Sequence, residues 1–193
     1  MNGMLAWRQV AFVAVAAALF AASAGGAIGA DADGTPATPG AGVEERGSVP
    51  LDHVGALVVG DAFDARSPAS TPWRVQGVNE ETNCFHVTEG DLPDGIAMMV
   101  MDGRIARFQL GPEVGSARGP FGLHPGMRRA AAEEAMPKNT RVSQHQYGGE
   151  GDVYIDWFPP GGRMGVRAEI LSGRVSDVSW GDGVAVQLIE GCS

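Results

Sequence analysis

Lysine is nearly missing from this chain of 193 residues: of 14 basic side chains all but Lys138 are arginines, set against 23 acidic ones for a formal charge of −9. An acidic surface repels phosphate backbones, which argues against nucleic acid as a partner. Histidine is also scarce. His53, His86, His124 and His145 include no pair at the short spacing that helix or strand geometry turns into adjacent metal ligands. The Gly-x-Ser-x-Gly motif of a nucleophile elbow is absent, and Ser67, Ser70, Ser116 and Ser143 lie in loop-like surroundings. The Gly148-Gly149 and Gly161-Gly162 pairs lack the lysine and helix start of a phosphate loop and read as turns. Glu80/Glu81, Asp91/Asp94 and Glu133/Glu134 come without an EF-hand spacing or an oxyanion loop. These gaps leave no cofactor and no metal expected, and solvated loops and helix faces account for the carboxylates.

Only the start of the chain carries a long apolar run. Arg8 precedes Val10 to Ala22, and Ala22-Ser23-Ala24 fits a cleavage site, with Ala30 as a second candidate. The run falls short of the roughly twenty residues a spanning helix needs, so residues 1-24 (or 1-30) read as a cleaved signal peptide rather than an anchor. No Cys lies near the cleavage site to carry a lipid. Residues 31-50 are rich in Gly, Pro, Ala and Thr, too poor in large apolar side chains to repay ordering, and read as a flexible leader. The mature chain is then expected to be periplasmic or secreted, with no stable membrane insertion after signal cleavage.

What is present in quantity is strand alternation around glycine turns. Ile96, Met98 and Val100 alternate up to Asp102-Gly103, a dipeptide suited to the positive φ angles of a two-residue turn, and Ala106, Phe108 and Leu110 alternate away from it. Seventy residues later the pattern returns as Val166, Ala168 and Ile170, then Ser172-Gly173-Arg174, then Ser176, Val178 and Trp180. Residues 84–110 match residues 154–180 without a gap, which predicts a duplicated β-meander. Each copy is preceded by a Leu-x-x-Gly landmark, Leu57 to Gly60 and Leu123 to Gly126. After Gly126, Met127 to Met136 holds good helix formers up to Pro137, and after Gly60 a shorter helix over Asp61 to Ser67 is stopped by Pro68. Asp152 to Phe158 predicts a strand covered on both sides, and the β-branched run Val184 to Ile189 predicts a last strand.

These readings sum to an α+β fold of two tandem repeats, each a short helical segment followed by an antiparallel β-meander, over residues 51-118 and 119-193. Leu-x-x-Gly ahead of a helix and x-Gly-Arg in a hairpin make the pattern similar to the secreted tandem-repeat folds of β-lactamase inhibitory protein and of the small outer-membrane lipoprotein family SmpA/OmlA. The resemblance covers roughly Leu51 to Cys192. The inhibitor family resembles a four-cysteine design with a bridge inside each repeat, and the lipoproteins a chain with a lipid-bearing Cys. Neither is matched here, so β-lactamase inhibition does not carry over.

In an exported chain the two cysteines, Cys84 and Cys192, are expected to pair with each other across the repeats; the alternative, free thiols with one catalytic, lacks a nearby base. His86 maps onto Asp156 by the seventy-residue shift, a conceivable acid/base pair on neighbouring strands. Tyr147, Tyr154, Trp157, Phe158 and Trp180 crowd into the second repeat, where one strand face is a possible binding patch and the other core. The leading expectation is an exported, non-enzymatic binding module whose partner is a protein or envelope component. Two others stand beside it: a small periplasmic hydrolase or metal-dependent enzyme, and an envelope structural protein. Mass spectrometry of the secreted chain should find its first residue at Gly25 or Asp31; retention of Met1 in a membrane pellet would reverse the export reading.

Overall fold

A computed structural model describes residues 49–112 and 116–192; the signal peptide and most of the leader read from the sequence lie outside the described residues. Eight strands form one antiparallel sheet. They are β3 (Trp73–Asn79), β4 (Cys84–Glu89), β5 (Ile96–Met101), β6 (Arg104–Leu110), β7 (Arg141–Gln144), β8 (Val153–Trp157), β9 (Met164–Leu171) and β10 (Arg174–Asp182), in the spatial order β3-β4-β5-β6-β10-β9-β8-β7. A separate two-stranded ribbon pairs β1 (His53–Val54) with β2 (Leu57–Val58).

The two hairpins stand where the alternation puts them. Asp102 and Gly103 both have positive φ (50° and 70°), as do Ser172 and Gly173 (52° and 74°), the backbone of a type I′ turn whose twist matches its strands. The register of each hairpin slips at one residue, Ala106 in the first and Ser176 in the second, again seventy apart. A bulge at a fixed place in both hairpins is a duplicated feature rather than a local defect.

The helical part of the expected fold is overturned. Among the described residues there is one α-helix, α1 (Arg129–Ala135), so the α+β arrangement of two helix-plus-meander repeats gives way to a mostly antiparallel β architecture. Residues 61–67 form no helix because their backbone is already engaged: Gly60 N–H donates to Ile105 O, Ile105 N–H to Asp61 O, and Phe63 N–H to Gly103 O. The same clamp holds the second half. Gly126 N–H donates to Val175 O, Val175 N–H to Met127 O, and Arg129 N–H to Gly173 O, which delays α1 to Arg129. Arg104 and Arg174 reinforce it identically, each giving its guanidinium to the carbonyl of the landmark glycine, Gly60 or Gly126, at 2.8 Å. What repeats is therefore a clamped lead-in followed by a four-stranded meander.

One sheet face is the main core. Met98, Val100, Phe108, Leu110, Val166, Ile170, Val178 and Trp180 are buried there, covered by Val54, Leu123, Ala132 and Met136 from the lead-ins and α1. Phe108 and Trp180, from the two halves, pack with tilted rings whose centroids are 5.9 Å apart.

The last predicted strand is also corrected. Val184 to Ile189 contains a single 3-10 turn, Ala185–Gln187, because β10 already has β6 and β9 on its two sides and the chain leaving it finds no free edge beside it. Asp182 turns the chain by accepting hydrogen bonds from the Val184 and Ala185 N–H groups (2.9 and 3.2 Å). Residues 183–192 then cross the second sheet face as a strap, where Ala185 and Cys192 pack on Cys84, Met99 and Ala106.

The Cys84–Cys192 disulfide is formed, with α-carbons 5.2 Å apart. It joins the strap to the second strand of the first meander. Replacing both cysteines by Ala should lower unfolding stability by about 2–5 kcal/mol, read from the denaturant midpoint, because the bridge closes a loop of 108 residues. Far-ultraviolet dichroism should keep its β signature, since both meanders pair without the bridge.

Candidate functional site

Polar residues that alternate with the core positions all emerge on the strap side. Arg107 and Gln109 flank Phe108, Asp177 and Ser179 flank Val178, and Arg167 and Glu169 flank Ala168. The β6–β10 register sets Ser179 opposite Gln109 and Gly181 opposite Arg107, so the two halves contribute to one cluster.

Each buried charge in it has partners. Asp156, wholly buried, receives Arg167 Nε at 2.7 Å and Nη2 at 2.9 Å, a bidentate pair, and Arg141 lies 3.5 Å away. Removal of either member would leave an uncompensated buried charge, a loss on the order of 3–5 kcal/mol. The Arg167 guanidinium also lies 4.3 Å from the centre of the Tyr154 ring, against which His145 stacks at 4.5 Å. His145 Nε2 is paired with Glu169. Gln109 ties the centre together: its Nε2 donates to Asp177 Oδ2 (2.9 Å) and its Oε1 accepts from Arg107 Nη2 (3.2 Å).

The strap is held by these arginines through its backbone. Arg107 Nη1 donates to Ala185 O (2.7 Å) and Leu188 O (2.8 Å), Arg167 Nη1 donates to Gln187 O (3.3 Å), and Arg141 Nη2 donates to Gln187 Oε1 (3.2 Å). Tyr147 hydroxyl bonds Glu190. At Gly191 the strap passes so close over His86 that an added Cβ would stand 2.7 Å from the imidazole ring. Burial, with the nearby Arg107 charge, lowers the affinity of His86 for a proton.

Beside the strap the same face is open. A cleft of about 540 Å³ runs over the first half, with Arg74, Gln76, Thr88, Ala97 and Gln109 among its lining residues and Leu92, Pro93 and Pro112 as aliphatic walls. Arg74 is ion-paired with Glu89 across the β3–β4 pair. The cleft is large enough for a small ligand or a short peptide segment.

The aromatic residues singled out from the sequence do not gather into one patch. Trp180 is fully enclosed in the core, and Trp157 faces that side too, edge-on to Phe121 at 5.3 Å. Tyr154 is buried in the polar cluster, and Phe158 packs against Gly165 and Gly183. Tyr147 alone of the five is largely exposed. His86 and Asp156 do not meet: β5, β6, β10 and β9 separate their strands, a span of about 24 Å at ordinary strand spacing. Among the described residues no three His, Cys, Asp or Glu side chains are placed to hold a metal ion. Arg107, Gln109, Arg167 and Asp177 were not singled out from the sequence, although their alternation with core residues is the signal that reveals them.

Asp177 has the most altered carboxyl. Burial pushes its pKa up to about 6, with the Glu169 charge adding to the shift and hydrogen bonds from Gln109 and Ser179 opposing it. A carboxyl with a folded pKa raised above its unfolded value of 3.8 favours folding at low pH, and that advantage is lost as pH rises from about 4 through 6. Urea unfolding of the wild type and of Asp177→Asn at pH 4.5 and 7.5 checks this. The variant should gain on the order of 1–3 kcal/mol relative to wild type at the higher pH.

No protein-family model matches this chain, and no curated protein or solved structure does so either.

Proposed function

We propose that this protein is an exported, non-enzymatic binding module of the bacterial envelope or extracellular space, with a protein or envelope component as its partner. The observation that carries the reading is the division of the polar sheet face: the strap seals one part over a hydrogen-bonded charge cluster, while the first half keeps an open cleft on the same sheet. A preformed concavity on strands positions side chains without the cost of ordering a loop on binding. Export is supported by the disulfide, which uses both cysteines of the chain and is stable in oxidising compartments. No helix among the described residues is long and apolar enough to cross a membrane.

A photoreactive benzoylphenylalanine at Asp94, an exposed residue on the rim of the cleft, and another at Lys138, outside it, test the reading in cells that produce the protein. Irradiation should yield a discrete adduct from position 94 that is absent from position 138. Adducts from position 138 alone, or from neither, would refute the cleft as the binding surface.

A further inference from the structure

The internal duplication says what the cleft is shaped to receive. A shift of seventy residues carries β5 and β6 onto β9 and β10, bulge included. Because Gln76 stands opposite His86 and Arg141 opposite Asp156, the same correspondence makes Gln76 the counterpart of Arg141 on the outer strands. Thr88 and Pro93 then match Phe158 and Arg163, and Pro112 matches Asp182.

In the second half Arg141, Phe158, Arg163 and Asp182 surround the beginning of the strap, with Val184 and Gln187 among them. In the first half the matching Gln76, Thr88, Pro93 and Pro112 surround the open cleft. The chain beyond β6 does not supply a strap of its own among the described residues. Ala117 packs on the core cluster of the opposite sheet face, and Gly119 lies against Val178 and Trp180 there.

We infer that the first-half cleft is a seat for an extended polypeptide segment of a partner protein, which takes the lane that the strap takes in the second half. The inference rests on the binding reading above and names its ligand class. The strap supplies the mode of recognition: its main-chain carbonyls are met by side chains standing up from the sheet, and Gln187 adds a side-chain hydrogen bond to the outer strand, at Arg141. In the cleft, Gln76 takes the place of Arg141 and offers a carboxamide, which has two N–H donors and an acceptor and spends one N–H on Thr88 Oγ1 at 3.3 Å. Gln109 is held in position by Arg107 and Asp177, so its carboxamide presents a fixed polar group at the cleft floor. Leu92, Pro93 and Pro112 suit the aliphatic side chains of such a segment.

The test uses the full mature chain, in which the disulfide keeps the strap in its own lane and leaves the cleft as the matching open seat. Backbone amide NMR follows titration with a peptide of residues 183–191, a pooled random nonapeptide mixture and anionic phosphatidylglycerol vesicles, each added separately. Shifts from a peptide probe, concentrated at Gln76, Thr88, Ala97 and Gln109, are expected. Ala97→Trp, which fills the floor, should weaken that binding at least tenfold. Gln76→Arg, which restores the second half's donor on an exposed position, should tighten binding of the 183–191 peptide severalfold. If neither peptide probe moves the cleft amides, or if Ala97→Trp leaves binding unchanged, the inference is overturned. Vesicles moving the cleft amides where peptides do not would overturn it as well, while leaving the binding module reading in place. An absent photo-adduct at position 94 is the separate result that defeats that reading.

Discussion

The pairing of β6 with β10 is the constraint on which the rest of the structure hangs. Four residue pairs, from Val178 opposite Leu110 to Gly181 opposite Arg107, join two four-stranded meanders that would otherwise each end at an unpaired edge. That register decides both faces at once. Phe108, Leu110, Val178 and Trp180 form the middle of the core on one side, and Arg107, Gln109, Asp177 and Ser179 become neighbours on the other. A slip of one residue would exchange the faces, sinking charges into the core and exposing Trp180. Fold and candidate site are thus consequences of the same ladder.

The hairpins were legible because their determinants are local. A two-residue turn at Asp102-Gly103 or Ser172-Gly173 and an alternating apolar pattern are read within a window of fifteen residues. The lead-in at Asp61 to Ser67 looked helical because helix propensity is also local, whereas its fate depends on hydrogen bonds to Gly103 and Ile105 forty residues away. Val184 to Ile189 has strand propensity but no free edge beside the strand it follows, a fact that emerges only once β10 is seen between β6 and β9. The disulfide was legible by count alone. The charged cluster was half legible: the positions of Arg107, Arg167 and Asp177 follow from alternation, but their burial depends on a strap that the sequence disguised as a strand. The His86 and Asp156 pairing failed because equivalent positions in a duplicated sheet lie on opposite sides of its centre.

The strap explains how so many charges can be buried on a sheet face. Arginine main-chain contacts, a bidentate carboxylate and an aromatic ring account for much of the hydrogen-bonding and cation–π capacity of Arg107 and Arg167, and the remaining unpaired buried guanidinium atom is Arg107 Nε. Such a network costs desolvation and returns geometric definition, which suits a surface that must hold its shape beside an open cleft.

The bulge in β3 has a bearing on how the molecule behaves among its own copies. An open eight-stranded sheet leaves two free borders, and β3 breaks its register between Gln76 and Asn79, with Gly77 in a left-handed conformation, while β7 is only four residues long. A kinked border and a short one are poor templates for adding strands. The sheet can therefore be wide while both of its borders resist edge-to-edge pairing with further copies.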